Sequence, residues 1–197
     1  MTTHTLNNDH HHDMDTTDIF GFWIYILSDC ILFACLFAAY AVLHNNVYGG
    51  PSMRMLINIP SIFNETIILL VSSFTYGMAV LSSYKNNIYP VILWLGITMM
   101  LGAFFVGMEI NEFTHLYQEG HSWQSSAALS AFFTLVGTHG LHVTIGIIWM
   151  AMIILQLMIF KISPVMQKRL TYLGLFWAFL DIIWIFVFTI VYLMGAI

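Results

Sequence analysis

Charged side chains are scarce in this sequence: they make up 8% of its 197 residues, against about 25% in an average soluble domain. So few charges cannot cover a water-facing surface, which excludes an ordinary soluble protein and a disordered one. Only five residues are Lys or Arg and the formal net charge is −5, so no nucleic-acid partner is expected. The two cysteines, Cys30 and Cys35, would fall on different faces of a helix, so no disulfide between them is expected.

Apolar side chains are abundant instead, at 59% of the residues. They form five stretches that each reach the roughly 20 residues a helix needs to cross a bilayer. The sequence therefore predicts an all-α membrane protein, a bundle of five transmembrane helices over residues 20–43, 61–84, 91–113, 127–160 and 171–194. No proline interrupts the fourth stretch, which favours one long helix. Residues 1–19 are polar and rich in His and Asp, and we expect them to form a disordered tail before a transmembrane domain over 20–197.

The few basic residues are distributed unevenly about these five stretches. Four of them lie on the side of the N-terminus and one, Arg54, lies on the other. The four are Lys85, Lys161, Lys168 and Arg169. Because Lys and Arg favour the cytoplasmic side of a membrane, we expect a cytoplasmic N-terminus and an external C-terminus.

Seven ionisable side chains lie inside the apolar stretches. An acidic group at the centre of a membrane helix costs about 2.5–3.5 kcal/mol, so these side chains are expected to face other helices or another protein. Counting along the helices predicts two depths. The inner layer would contain Asp29, His139, His142 and Asp181, and the outer layer Glu65, Glu109 and Glu112.

Helical spacing places several of these residues on common faces. His139 and His142 are three residues apart, as are Glu109 and Glu112, and a third face contains Trp177, Asp181 and Trp184. We interpret these faces as hydrogen-bonding contacts between helices, with lipid binding or proton movement as alternative roles. Ala103 and Gly107 also have the spacing that allows two helices to approach closely.

Metal and haem chemistry require more ligands than these faces offer. Glu112 and His115 have the Glu-x-x-His spacing of di-iron bundles, but such a site needs two of these pairs and two further glutamates. His139 and His142 lie on one helix and cannot be opposite axial ligands of one haem iron. We therefore predict neither a catalytic residue nor a metal site in this chain.

Three segments together resemble subunit III of the haem–copper oxidases. Residues 130–146 read SAFFTLVGTHGLHVTIG, residues 176–184 read FWAFLDIIW and residues 107–113 read GMEINEF. With five apolar stretches rather than seven, the chain is most similar to the bacterial cytochrome bo-type ubiquinol oxidases within that family. It departs from the common pattern at Ala178, where family members usually have histidine.

The resemblance implies a non-catalytic subunit of a proton-pumping terminal oxidase that oxidises ubiquinol and reduces dioxygen to water. Haems and copper would belong to subunit I, which would be the principal partner, with subunits II and IV also present. This chain would bind phospholipid and support assembly and sustained turnover. Two alternatives stay open at this point: a stand-alone proton channel using Asp29, Glu65, Glu109 and Asp181, or a metalloenzyme. The metalloenzyme would use Glu112, His115, His139 and His142.

Overall fold

The computed structural model describes the backbone of residues 3–44, 59–118 and 126–193, and within these ranges it contains helices and no strand. The helices are α1 (Thr3–Leu43), α2 (Ile59–Tyr84), α3 (Ile88–Gln118), α4 (Ala127–Phe160) and α5 (Pro164–Val187), with a π-helical turn at Phe188–Leu193. Among these described residues, five helices are long and apolar enough to cross a membrane. The predicted all-α, five-helix fold is confirmed.

Helix α1 extends well before its apolar part. Its backbone is helical from Thr3, within the segment expected to be a disordered tail, although its apolar membrane-spanning part begins at Thr17. Extending an existing helix costs far less than nucleating a new one. Since neither proline nor glycine occurs between Thr3 and Phe20, nothing interrupts this extension.

Capping side chains determine where the last two helices begin. Ser126 precedes α4 and its hydroxyl accepts a hydrogen bond from the Leu129 amide, so α4 begins at Ala127. Ser163 caps α5 in the same way, followed by Pro164 in the first turn. Helix α5 therefore begins seven residues before the predicted start at 171, and Lys168 and Arg169 lie in its first two turns.

The chain divides into two compact units, residues 1–35 and 36–197. In the second unit, α2 packs against α3 and α5, and α4 packs against the same two helices, so four helices enclose a common core. The end of α1 also belongs to this unit, where the Tyr40 hydroxyl lies 3.4 Å from the carbonyl oxygen of Val191 in the π-helical turn.

The indole of Trp177 lies where α5 meets two glycines of the neighbouring helices. A Cβ atom at Gly102 of α3 would be 2.8 Å from Trp177 Cη2, and one at Gly146 of α4 would be 3.2 Å from Trp177 Cζ3. Both positions therefore have room for the ring only because they lack a side chain. The predicted close-packing residue Gly107 has no such neighbour within 4 Å.

Hydrogen bonds join α5 to α2 along the face that contains Trp177, Asp181 and Trp184. Trp177 Nε1 donates to Ser72 Oγ and Trp184 Nε1 donates to Thr66 Oγ1, each over 3.1 Å. Three further hydrogen bonds link the two helices: Ser73 donates to the Asp181 carboxylate, the Tyr76 hydroxyl donates to the Leu170 carbonyl, and the Gln167 amide donates to the Ser83 carbonyl. These bonds satisfy polar groups for which lipid offers no partner.

We predict that Gly102→Ala destabilises the bundle, because its methyl group would displace the Trp177 ring. Overpacking of this kind costs about 1–3 kcal/mol. Thermal unfolding in mild detergent measures the effect. Gly107→Ala is the matched control, since it adds the same methyl group to the same helix in open space. Equal stability of the two variants would contradict the predicted contact.

We also predict that Ser72→Ala lowers the free energy of unfolding, because it removes the hydroxyl that accepts the Trp177 N–H. An unpaired buried donor costs about 1–3 kcal/mol. The control is Ser82→Ala, since Ser82 donates only to Met78 of its own helix. If Ser72→Ala in a Trp177→Phe background costs as much as it does alone, the hydrogen bond is not the cause.

Candidate functional site

Three glutamates from α2 and α3 come together in the second unit. Glu65 lies in the second turn of α2, and Glu109 and Glu112 lie toward the end of α3. The side chains of Glu65 and Glu109 are buried, with exposed fractions of 1% and 4%, while Glu112 is half-buried. Glu109 interacts electrostatically with both other carboxyls. The structure thus brings together the three residues predicted for the outer layer.

Glu109 reaches across the bundle to α4. Its Oε2 atom lies close to where a Cβ atom at position 140 would be, so a side chain at Gly140 would overlap the carboxyl group. On the same face of α3, one turn earlier, lies the buried ring of Phe105. Among the residues that the structure describes, neither oxygen of Glu65 nor Oε1 of Glu109 has a hydrogen-bond partner.

Tyr192 completes this group and was not identified from the sequence. It lies in the π-helical turn after α5, its side chain is 1% exposed, and it interacts electrostatically with all three carboxyls. Within the described part of the chain its hydroxyl has no hydrogen-bond partner. No periodic pattern in the sequence indicates a π-helical turn, so the direction of this side chain could not be predicted.

His139 is buried between aromatic rings next to this group. Its ring stacks on that of Trp184 at an interplanar angle of 30°, with centroids 5.2 Å apart, and meets the ring of Phe105 edge-on at 5.9 Å. His142 is half-buried, and its Nδ1 atom lies 2.8 Å from the Thr138 carbonyl oxygen of its own helix. Because a carbonyl can only accept, that nitrogen carries the hydrogen.

The four residues predicted for an inner layer have different neighbours. Asp181 is buried and its carboxylate accepts from Ser73 on α2, whereas His139 contacts the rings of Phe105 and Trp184. Asp29 belongs to the unit formed by residues 1–35, where Tyr25 one turn earlier donates a hydrogen bond to it. For these four residues, depth along a helix did not identify the polar partners, because depth does not determine direction around the helix axis.

The side chains considered for a metal site do not form one ligand group. Glu112 is half-buried, while His115, three residues later on the same helix, is exposed. Across the described ranges, no three His, Cys, Asp or Glu side chains are grouped so that they could hold a metal ion. Glu65, Glu109 and Tyr192 are buried and Glu112 is half-buried, and the four groups interact electrostatically.

Two open grooves follow the outside of the four-helix unit. One, of about 590 Å³, runs beside α3 and α4, and another, of about 370 Å³, runs between α2 and α5. The first is lined by Ile110, Phe113, Thr114, Tyr117 and Phe133. The second includes Ala178, the position where the sequence departs from the common family pattern, together with Ser73, Tyr76 and Tyr84.

Comparison with known proteins gives matches along almost the whole chain. The family described as cytochrome c oxidase subunit III matches residues 1–196. Cytochrome bo(3) ubiquinol oxidase subunit 3 of Pseudomonas aeruginosa is 52% identical over 190 residues, which cover 96% of this chain and 91% of the relative. The protein of the same name from Pseudomonas putida is 49% identical over 185 residues, covering 94% and 89%.

A more distant relative is the quinol oxidase subunit 3 of Bacillus subtilis, which is 45% identical over 178 residues, or 90% of this chain and 87% of the relative. Together with five helices able to cross a membrane, these matches make the chain a multi-pass membrane protein. They confirm the resemblance identified from residues 107–113, 130–146 and 176–184. The chain belongs to the cytochrome c oxidase subunit III family.

Proposed function

We propose that this chain is the non-catalytic subunit III of a proton-pumping terminal quinol oxidase. The complex would oxidise ubiquinol and reduce dioxygen to water, while this subunit supports assembly, lipid binding and sustained turnover. The observation that carries the proposal is the match to relatives named subunit 3 of ubiquinol and quinol oxidases, over at least nine-tenths of this chain.

The packing of the second unit supports a scaffold role. Trp177, Asp181 and Trp184, which the sequence places on one face of α5, all have partners on α2. Their polar atoms are therefore used in holding helices together. Large apolar side chains cover the outside of the helices, as lipid or a membrane partner requires.

The two outer grooves are suited to binding phospholipid. The groove beside α3 and α4 is lined by three aromatic rings, those of Phe113, Tyr117 and Phe133, together with Ile110. Such a surface suits an acyl chain, and Tyr at a span end suits the headgroup region. The groove between α2 and α5 offers a second apolar surface with Tyr84 at its end.

The proposed partners are subunit I, as the principal contact, and subunits II and IV. The haems and copper of the complex would be held by subunit I. In this chain His139 and His142 lie three residues apart on α4, so they cannot ligate one haem iron from opposite sides. Electron transfer is therefore assigned to the partner and not to this chain.

The proposed location is the bacterial inner membrane, with the N-terminus in the cytoplasm and the C-terminus in the periplasm. Support comes from the distribution of basic residues. Lys85 follows α2, and Lys161, Lys168 and Arg169 surround the connection between α4 and α5. Arg54, on the opposite side, lies outside the described residues.

A stand-alone proton channel is not favoured. The relatives are named as subunits of oxidases. Of the four acids in that hypothesis, Asp181 is hydrogen-bonded to α2, while Glu65 and Glu109 form a separate group near the start of α2. These acids therefore do not form one continuous row across the membrane.

We predict that an affinity tag on this chain recovers an oxidase in mild detergent, with haem in the recovered material and ubiquinol oxidation sensitive to removal of the tagged chain. The purified chain alone, in liposomes, should give no proton flux above that of empty liposomes. Recovery of the chain without any haem-containing partner would contradict the proposed function, and flux from the chain alone would support the channel.

We predict that Asp181→Leu shortens the working life of the oxidase during turnover and lowers recovery of this chain with its partners. The substitution removes the acceptor for Ser73 and so weakens the contact between α2 and α5. The haem absorption spectrum should not change, because the haems belong to subunit I. Asp18→Asn, which alters an exposed acid, is the control. A changed haem spectrum in Asp181→Leu would contradict this assignment.

A further inference from the structure

We propose that Glu65, Glu109 and Glu112, together with the Tyr192 hydroxyl, form a proton-binding site whose carboxyl groups share protons inside the helix bundle. The ligand is the proton itself. This inference goes beyond the scaffold function, since packing alone requires no shared proton.

The buried position of these carboxyls makes a negative charge energetically costly. Glu65 and Glu109 are 1% and 4% exposed, and they interact electrostatically with each other and with Glu112. An ionised carboxylate without a partner is expensive in an apolar interior, and three of them in close range also repel one another. The cost falls when protons are bound, so the cluster is a place where protons are held.

Lys85 and Lys161 lie far from the carboxyl cluster along the chain. Lys85 is 20 residues beyond Glu65 along one helical segment, about 30 Å at 1.5 Å per residue. Lys161 is 21 residues beyond Gly140, which corresponds to about 32 Å. Neither Lys85 nor Lys161 is therefore placed to neutralise the cluster.

Tyr192 supports the proposal independently of the acids. Its hydroxyl is fully enclosed, has no hydrogen-bond partner among the described residues, and lies within electrostatic range of all three carboxyls. A phenol can donate to a carboxylate or accept from a protonated carboxyl. The π-helical turn at Phe188–Leu193 thus supplies the neutral group that a proton-sharing set of carboxyls needs.

The remaining titratable groups near the cluster come from two other helices. Tyr40 of α1 interacts electrostatically with Tyr192, and His139 of α4 immediately precedes the glycine that contacts Glu109. Glu112 differs from Glu65 and Glu109 in being half-buried. It is therefore the member through which protons exchange with the surroundings.

Infrared spectroscopy of the complex, purified through a tag on this chain, tests the proposal. At neutral pH the wild-type sample should show the carbonyl stretch of protonated carboxyl groups. Glu65→Gln and Glu109→Gln should each reduce the intensity of this band by at most the contribution of one carboxyl group, since the protons are shared. Asp18→Asn, which alters an exposed acid, should leave it unchanged.

Two further variants keep the test informative if the buried substitutions impair folding. Tyr192→Phe removes only the hydroxyl and should shift the frequency of the band while keeping its intensity. Glu112→Gln should slow the exchange of the band in deuterium oxide several-fold. A band that none of the four cluster variants alters would overturn the proposal. Loss of the partner subunits from the tagged sample would instead contradict the proposed function, so the two failures are distinguishable.

Discussion

A polar side chain inside an apolar helix has to find its hydrogen-bond partner on another helix, because lipid provides none. In this chain that constraint acts most clearly between α2 and α5. The indoles of Trp177 and Trp184 donate to hydroxyls of α2, and Asp181, which lies between them on α5, accepts from a third hydroxyl of α2. The same face therefore supplies both the bulk that fills the core and the polar groups that fix the two helices in register.

Sequence reasoning predicted the number of helices because hydropathy over 20 or more residues is determined by the bilayer and needs no tertiary information. Helix α4 begins at Ala127, where the apolar stretch and the Ser126 cap coincide. Helix α5 begins at Pro164, seven residues before the apolar stretch at 171, because Ser163 and Pro164 start the helix. Capping chemistry, and not hydropathy, was the better guide to that boundary.

For the candidate site, depth along the helices predicted that Glu65, Glu109 and Glu112 meet, and the structure brings them together. The same reasoning did not identify the partners of Asp181 and His139, because each depends on rotation about its helix axis. Tyr192 was missed for a different reason: its direction is set by a π-helical turn, which leaves no periodic trace in the sequence. The small residues show a related difficulty, since Gly102 and Gly107 look equivalent in sequence, yet only Gly102 meets a side chain.

The Glu109 carboxyl occupies the space that a side chain at position 140 of α4 would fill, so a larger residue there has to displace it. The loss of the acid would in turn make room for alanine on α4. Relatives with a larger residue at 140 should therefore hold this carboxyl elsewhere or lack it, which would make position 140 an inherited marker of where the acid lies.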